Sequence, residues 1–390
     1  MKKGWETKTL GDTCEMYQPQ TISTKELISD GPYPVFGANG IIGRYDRFNH
    51  EKPQLLVTCR GATCGAVNIS EPRSWITGNA MVVRPKDSCI EMRFLEYLFR
   101  GRIDISKAIT GAAQPQITRT NLAPLEICYP KSLAEQRRIV TVLDEAFAGL
   151  ATAQAHAEKN LQNARAVFES HLNAVFNQRG EGWVGKTVGG FVIDGILAAP
   201  IDGNHGEIHP KKADFVTSGV PFIMASDLEN GGVNQKDCAF ISRKQADSLR
   251  KGFAVDGDVL LSHKGTIGRV AILRTDHDFV ILTPQVTYYR VTAPQKLLNR
   301  FLYYAFQAPD FVRTMNGIAG AGSTRAYIGI LKQQELPLAF PSISEQNRLA
   351  DQLDALAAET QRLQKIYEKK KAALAELKKS LLHQAFSGDL

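Results

Sequence analysis

Residues 132–143 read Ser-Leu-Ala-Glu-Gln-Arg-Arg-Ile-Val-Thr-Val-Leu, and residues 342–353 read Ser-Ile-Ser-Glu-Gln-Asn-Arg-Leu-Ala-Asp-Gln-Leu. Each stretch closely follows a proline and begins Ser-x-x-Glu. This is a capping box, in which the serine caps the first helical turn and the glutamate reaches back. The residues that follow, up to Phe176 and Phe386, contain no proline. The sequence therefore predicts two long helices with related starts.

Apolar residues in both stretches recur at alternating spacings of three and four residues, which is typical of a coiled-coil seam. The segment from Glu135 to Phe176 aligns with Glu345 to Phe386 at a constant offset of 210, and twelve positions are identical. Helices of equal length can pair end to end. The predicted seam comprises Ile139, Leu143, Leu150, Leu161, Leu172, Leu349, Leu353, Leu363, Leu374 and Leu381, and the spacing also suggests Val167 and Leu377.

The segments before the helices repeat as well. Gly-Trp-x-x-Lys-Thr-Leu-Gly at residues 4–11 returns as Gly-Trp-x-x-Lys-Thr-Val-Gly at 182–189. Short β-rich runs (54–58, 80–84, 258–262 and 285–291) alternate with turn residues, and amphipathic helices are predicted near 91–100 and 295–307. These patterns predict an α+β fold with two mixed modules, at 1–131 and 180–341, followed by long helices at 132–179 and 342–390 respectively.

Chain connectivity restricts how these parts are arranged. The second module begins where the first helix ends and finishes where the second helix begins. Each helix is about 60 Å long, whereas a module is only about 40 Å across. Both attached helix ends must therefore lie near one another. We expect an antiparallel coiled coil with one module at each end of a rod and an approximate two-fold axis through its middle.

The composition is that of a globular protein with a basic surface. Apolar residues make up 43% and charged residues 22% of the 390 residues, and the net charge is +7. A basic balance favours an acidic partner such as nucleic acid. Six scattered cysteines without a Cys-x-x-Cys predict reduced thiols of a cytoplasmic protein. Neither a membrane span nor a secretion signal is expected.

Motifs that would indicate catalysis or metal binding have simpler interpretations. Residues 180–187 match the spacing of a phosphate loop, but a long helix precedes them and the strand-like run 188–193 follows, which reverses the order of a phosphate loop. His205 and His209 lack metal-ligating neighbours in the sequence, which predicts a solvated loop. We find no methyl-donor loop, Asn-Pro-Pro-aromatic segment, Ser/His/Asp set or carboxylate pair. The chain is predicted to be non-catalytic and metal-free.

Loop residues in both modules carry groups suited to DNA. Arg and Lys donate to guanine, and Asn and Gln pair bidentately with adenine. Arg60 and Lys264 hold the same repeat position before a glycine, where backbone and cation can approach a phosphate together. The candidates are Asn39, Arg44, Arg60, Thr63, Gln114, Gln116 and Arg119 in the first module, and Lys211, Lys212, Lys264, Thr266, Gln285, Ser323, Thr324, Arg325 and Tyr327 in the second.

The ordered set of motifs resembles the specificity (S) subunit of type I restriction-modification enzymes. The resemblance rests on the Glu-Gln-x-Arg helix starts, the Gly-Asp-Val-Leu-Leu to Lys-Gly-Thr-Ile-Gly-Arg-Val segment at 257–270, Gly-Ser-Thr at 322–324, and Ser-Leu-Leu-x-x-Ala-Phe-x-Gly at 380–388. In that family, two target-recognition domains separated by an antiparallel coiled coil each read half of a split DNA sequence. The first module departs from the family's loop pattern, because Ala62 is an extra residue and Cys64 replaces an aliphatic one.

The resemblance also implies partners. These are double-stranded DNA, two methyltransferase subunits and restriction/translocase subunits, with S-adenosylmethionine, ATP and Mg²⁺ acting in the partner subunits and no cofactor in this chain. Two other functions remain open. One is a catalytic methyltransferase or nuclease, and the other is a coiled-coil adaptor that binds only protein. Salt-sensitive binding to duplex DNA separates the adaptor from a DNA-specificity subunit.

Overall fold

The computed structural model describes residues 3–320, 326–387 and 390. The chain divides into two compact units, Met1–Lys159 with Tyr367–Leu390, and Asn160–Ile366. Each unit contains one module and segments of both long helices, so the two units can be compared contact by contact. The predicted division into modules and spacer helices stays a prediction.

The first module is built from short strands. β1 pairs with β11, which brings the two ends of the module together beside the start of α4; β2-β8-β5-β6 and β4-β3-β7 form two sheets in those orders. Two 3-10 helices lie at Thr24–Glu26 and Ile105–Ala108. The elements are β1 (Trp5–Thr9), α1 (Leu10–Thr13), β2 (Cys14–Tyr17), β3 (Tyr33–Phe36), β4 (Ile41–Tyr45), β5 (Leu55–Thr58), β6 (Val67–Ile69), β7 (Trp75–Ile76), β8 (Ala80–Pro85), α2 (Met92–Gly101), β9 (Ile109–Thr110), β10 (Gln116–Ile117), α3 (Arg119–Leu122), β11 (Glu126–Pro130) and α4 (Leu133–Asn177).

The second module repeats this plan with additions. β12 pairs with β24, and β13-β23-β20-β21 corresponds to the four-stranded sheet of the first module, while β14-β18-β15-β22-β19 forms a larger second sheet. The elements are β12 (Val184–Thr187), α5 (Val188–Ile193), β13 (Ile201–Asp202), β14 (Phe215–Val216), β15 (Val220–Ile223), β16 (Leu228–Glu229), β17 (Gly232–Val233), β18 (Ala239–Ile241), α6 (Arg243–Asp247), β19 (Phe253–Ala254), β20 (Val259–Ser262), β21 (Val270–Ile272), β22 (Val280–Leu282), β23 (Val286–Tyr289), α7 (Asn299–Ala305), α8 (Pro309–Ala319), α9 (Ile330–Gln334), β24 (Pro337–Phe340) and α10 (Ile343–Ser387).

Strand β5 has an apolar run, Leu55–Val57, because both of its faces are buried. Leu55 and Val57 pack into the core that contains α2, whereas Leu56 packs into a separate cluster with Ile76. Successive side chains of a strand point to opposite faces. Because both faces of this strand are covered, the run needs apolar residues at every position.

The strand expected at residues 188–193 is wrong, because Val188–Ile193 forms helix α5. The hydroxyl of Thr187 accepts a hydrogen bond from the amide of Gly190 at 3.1 Å and caps the helix. Val188 and Phe191, three residues apart, are buried on one face. The β-branched residues of this run favour a strand, but the cap at Thr187 favours a helix and decides the local structure. The preceding residues, Val184–Thr187, form the strand that enters the module.

Helices α4 and α10 each span 45 residues, which confirms two long helices of equal length. Ser132 and Ser342 cap them, each accepting a hydrogen bond at 3.4 Å from the amide three residues later. In the first turns, the carboxylates of Glu135 and Glu345 accept hydrogen bonds from arginines three residues on. The paired arginine explains why Glu-Gln-x-Arg recurs at both helix starts.

The two long helices run antiparallel within each unit, as predicted. In the first unit, Leu143 near the start of α4 shares a core with Phe386 at the end of α10. In the second unit, Phe176 at the end of α4 shares a core with Leu353 near the start of α10. None of the helices in the described ranges carries an apolar stretch long enough to span a membrane.

Most predicted seam residues lie between the helices or against the modules. Val167 and Leu377 do not, because their side chains are 56% and 47% exposed. Counting seven residues from Leu161 leads to Phe168, so Val167 lies off the seven-residue repeat. Leu377 keeps the spacing of the repeat, three residues after Leu374 and four before Leu381, but its side chain is exposed in the structure. Ile139, Leu143, Leu161, Leu172, Leu349 and Leu353 are buried, and Leu150, Leu363, Leu374 and Leu381 are half-buried.

Candidate nucleic-acid interface

A loop with the same backbone design leaves an interior strand of the four-stranded sheet in each unit. In the first unit the loop follows β5, and Arg60 forms an isolated antiparallel bridge with Gln116. In the second unit the loop follows β20, and Lys264 forms the same bridge with Tyr327. All four side chains are exposed. In each unit, the structure thus places a cationic DNA-binding candidate, Arg60 or Lys264, beside a second predicted candidate, Gln116 or Tyr327, at equivalent positions.

The glycine after each cation is required by the backbone. Gly61 and Gly265 have φ angles of 88° and 77°, in the left-handed region that side chains with a Cβ rarely adopt. Gly65 donates to the carbonyl of Thr58, and Gly268 donates to that of Ser262, both at 2.9 Å, which closes the loops. The loop of the first unit is longer by one residue, in agreement with Ala62 as an insertion.

Four candidates of the second module line one groove of about 620 Å³: Lys211, Lys212, Lys264 and Gln285. Its apolar wall includes Phe215, Phe222 and Met224. Among the described residues, no carboxylate lies within 4.0 Å of these three lysine ammonium groups. Thr266 is exposed on the same loop as Lys264. Unpaired cations around a concave surface form an electropositive site for an anionic ligand.

Lys264 directly follows His263, a buried histidine that is not among the site residues predicted from the sequence. His263 Nε2 lies 3.1 Å from the carbonyl of Pro284, which can only accept, so Nε2 carries the proton. Burial lowers the pKa of His263, and the neutral ring accepts through Nδ1 from the hydroxyl of Thr287 at 2.5 Å. The side chain of Lys264 lies over Tyr327, with Nζ 5.9 Å from the ring centroid. In the first unit, Cys59 occupies the equivalent buried position. The alignment of the two repeats, which matches His263 with a buried-type cysteine, is the sequence pattern that predicts burial of this histidine.

In the first module, a hydrogen bond at the end of β5 joins the loop that contains Asn39 to the loop that contains Arg60. The hydroxyl of Thr58 donates to the carbonyl of Ala38, which ties the loop of Asn39 to the strand that leads into Arg60. Asn39 accepts a hydrogen bond from Asn68 at 2.7 Å. Thr63 is exposed on the Arg60 loop, and Gln114 and Arg119 are exposed on either side of Gln116.

Arg44 has backbone partners within its own part of the module. Its guanidinium donates to the carbonyls of Gly31 and Pro32 and braces the turn before β3. The structure therefore gives Arg44 a local structural role. Three candidates of the second module, Ser323, Thr324 and Arg325, lie outside the described residues.

The loop with the two histidines contains an ion pair that its sequence did not reveal. His205 Nε2 lies 2.7 Å from the Asp202 carboxylate, which Lys251 also contacts. Burial alone would raise the pKa of Asp202, but the hydrogen bonds from Lys251 and His205 more than offset it and hold this pKa below its usual value. Across the described ranges, no three metal-ligating side chains converge. The cluster anchors the loop beside the lysine groove.

Comparison with known families and proteins adds to this geometry. Residues 2–161 and 198–371 match the family described as the type I restriction modification DNA specificity domain. The chain is 29% identical over 142 residues to the specificity subunit of the type I restriction enzyme EcoprrI from Escherichia coli, a match that covers 35% of each protein. It is 22% identical over 335 residues to a Haemophilus influenzae protein named as a type I specificity subunit, covering 83% of this chain and 80% of that protein.

The matches to the Escherichia coli relatives span only about a third of their length, 35% for EcoprrI and 38% for EcoBI. Two solved structures share the fold over nearly the whole chain. One comes from a study of complex assembly and conformational transition of the type I R-M system, with a TM-score of 0.77 at 17% identity, covering 100% of this chain and 99% of that one. The other is the HsdS subunit from Thermoanaerobacter tengcongensis, with a TM-score of 0.56 at 17% identity, covering 100% and 98%.

Proposed function

Since the chain belongs to the type I restriction modification DNA specificity family, we propose that it is the DNA sequence-specificity subunit of such a complex. Each module reads one half of a bipartite DNA target. The observation that carries this proposal is the repeated loop, in which Arg60 lies beside Gln116 in one unit and Lys264 beside Tyr327 in the other. A protein that reads a split sequence needs one such surface per half-site.

The side chains on these loops suit different parts of DNA. The three lysines of the groove neutralise phosphates and position the duplex, whereas Gln285 can reach base edges. Arg60 presents a planar fork that matches guanine, and Gln116 beside it matches adenine. Because the second unit carries lysine and tyrosine at these positions, the two half-sites differ. The target is therefore asymmetric.

The protein partners are proposed to dock on the long helices. In the first unit, α2, α4 and α10 line a groove of about 680 Å³ with apolar residues that include Phe147 and Leu374. Arg100 and Lys378 border it with positive charge. Two methyltransferase subunits bind the helices, and restriction/translocase subunits join them. S-adenosylmethionine, ATP and Mg²⁺ act in those partners, in the cytoplasm, and this chain contributes recognition without catalysis.

Co-expression with the cognate methyltransferase subunit, in a host without other DNA methylation, tests the proposal. Sequencing of modified bases should reveal one split motif with methylated adenines. The purified chain alone should bind duplex DNA in a salt-sensitive manner and should neither methylate nor cut it. A contiguous motif, activity of the chain alone after stringent purification, or an absence of DNA binding would overturn the proposal. The last outcome would favour a protein-binding adaptor.

A further inference from the structure

A polar clamp joins the helix of the first module to the long helix beside it. Arg93 on α2 donates through Nη2 to Oδ1 of Asp144 on α4 at 2.5 Å, and the hydroxyl of Tyr97 donates to the same oxygen. Burial and this hydrogen bond to a carboxylate raise the pKa of Tyr97, so Tyr97 stays a donor at physiological pH. We call Arg93, Tyr97 and Asp144 the first clamp.

The second unit contains the same clamp. Arg300 on α7 donates through Nη1 to Oδ2 of Asp354 on α10 at 2.5 Å, and the hydroxyl of Tyr304 donates to Oδ1 at 2.6 Å. Arg300 also donates to Asp351, one turn earlier on α10, at 2.7 Å. We call Arg300, Tyr304 and Asp354 the second clamp. The clamps match although the recognition loops of the two modules differ, so the clamp does not depend on which bases are read.

Each module has a second polar attachment at the first turn of its long helix. Gln136 is fully buried, and its side-chain amide accepts from the backbone amide of Glu91 at 2.8 Å. It donates to the carbonyls of Cys89 and Pro130 at 2.9 and 2.8 Å. Gln346 makes the equivalent bonds in the second unit. Each long helix is therefore hydrogen-bonded to its module at two positions along its length, the buried glutamine and the clamp aspartate.

Two attachment levels set the angle of a module. Asp144 follows Gln136 by eight residues, so the two levels are about 12 Å apart along the helix at about 1.5 Å per residue. Apolar contacts, such as Phe94 on Phe386, hold the module in place but are not directional. Hydrogen bonds weaken steeply when they are misaligned. Without the clamp, the Gln136 level remains as a directional attachment of the module to α4.

The size of such a pivot can be compared with DNA. A point on the order of 20 Å from the clamp lies about half the width of a module away. A pivot of about 10° shifts such a point by roughly 3.5 Å, which is about the 3.4 Å rise of one base pair. A small loss of angular control therefore corresponds to one base pair of target spacing.

We propose that the first and second clamps limit how far the number of base pairs between the two half-sites can vary. The clamp residues are positioning residues, because they join each module to its long helix and lie outside the recognition loops. This inference rests on the proposed function, since it requires a bipartite target. It assigns the tolerance for spacing to side chains outside both the recognition loops and the coiled-coil seam.

The test uses the full chain assembled with its methyltransferase subunits. Duplexes carry the two half-sites at the natural separation and at separations one base pair shorter and longer. Asp144→Ala and Asp354→Ala are compared with the unsubstituted chain and with Glu359→Gln, which removes a solvent-exposed pair with Arg362 on α10. Methylation at altered separations, relative to the natural one, should rise by about tenfold in the clamp variants and stay unchanged in Glu359→Gln.

Tyr97→Phe and Tyr304→Phe provide milder variants that keep the ring and remove one hydrogen bond. They should raise the same ratio by a smaller factor, and they decide the question if the alanine variants do not fold. An equal loss of methylation at every separation would mean that the clamp serves stability or the docking of the methyltransferase subunits, and it would overturn the inference. If the unsubstituted chain directs no methylation to a split site, the proposed function itself fails, which is a distinguishable result.

Discussion

Lys371 on α10 donates to the carboxylate of Glu158 on α4, and this pair links the two long helices within the first unit. At the constant offset of 210, the residue of α4 that corresponds to Lys371 is Leu161. The coiled coil is therefore not symmetric in charge. Glu158 has a cationic partner when α4 pairs with α10 and would meet a leucine if α4 paired with a copy of itself in the same register.

A half-length chain, Met1 to Arg179, should form a two-fold dimer, because its helix exposes an apolar seam that includes Leu143 and Leu172. With methyltransferase subunits it should modify an interrupted palindrome built from the half-site of the first module. Glu158→Gln should strengthen this dimer several-fold, because an uncompensated carboxylate is removed. Sedimentation and sequencing of modified bases provide the measurements.

The same Glu158→Gln change in the full chain should lower the free energy of unfolding by about 0.5 kcal/mol, because an exposed ion pair is lost. Opposite signs in the two contexts would distinguish the two pairings. A folded, monomeric half-chain would contradict the coiled-coil argument. A half-chain dimer that modifies the original asymmetric site would contradict the assignment of one half-site to each module.

Substitutions in the recognition loops should act on one half-site at a time. Arg60→Ala should cost about 1–3 kcal/mol and relax the half-site of the first module, and Arg325→Ala should do the same for the other half-site if it contacts a base. Lys264→Ala should weaken binding to all sequences and reduce the salt slope by about 1. Fluorescence anisotropy on duplexes with each half-site randomised measures both effects.

Lys370→Ala, an exposed lysine on α10 outside the recognition loops, is the matched control and should leave the preference for both half-sites intact. Equal changes in the preference for both halves after a substitution in the second module would refute the half-site assignment.

Gln136→Ala and Gln346→Ala should each lower the free energy of unfolding by about 2–4 kcal/mol, because several buried backbone groups lose their partners. Gln346 accepts from the amide of Leu298 at 2.9 Å and donates to the carbonyls of Lys296 and Pro341. Gln361→Ala, at an exposed position of α10, should change stability little. Urea unfolding followed by circular dichroism measures the difference. A loss below that of the exposed control would contradict the role of these amides.

Stability should fall as the pH drops below about 6.5. Burial lowers the pKa values of His50, His209 and His263, so these rings stay neutral in the folded state while the unfolded chain takes up protons. The folded state is therefore favoured most above the unfolded pKa, and this stability is lost as the pH falls from the unfolded pKa toward the lowered folded values.

His263→Cys copies the residue found at the equivalent position of the first module. It should be less stable at pH 7.5 and show a flatter dependence of unfolding free energy between pH 7 and 5. His156→Gln, an exposed position on α4, is the control. An unchanged slope in His263→Cys would show that this histidine does not contribute to the pH dependence.

Local patterns in the sequence determined the long helices, their equal length and their antiparallel pairing. Helix caps, the seven-residue apolar repeat and the duplication are all properties of neighbouring residues or of chain connectivity. They also identified Arg60, Gln116, Lys264 and Tyr327 as candidates. The same local signals failed at Val188–Ile193, where the cap at Thr187 outweighs β-branched composition, and at Val167, which lies off the repeat.

Only the tertiary structure decided which distant residues meet. The lysine groove joins Lys211 to Gln285, and the first clamp joins Arg93 to Asp144, both across long stretches of chain. Arg44 proved to brace a turn, and His205 proved to pair with Asp202. Such contacts depend on the path of the backbone through the sheets. A side chain's identity gives its chemistry, but its partner is set by the fold that carries both residues.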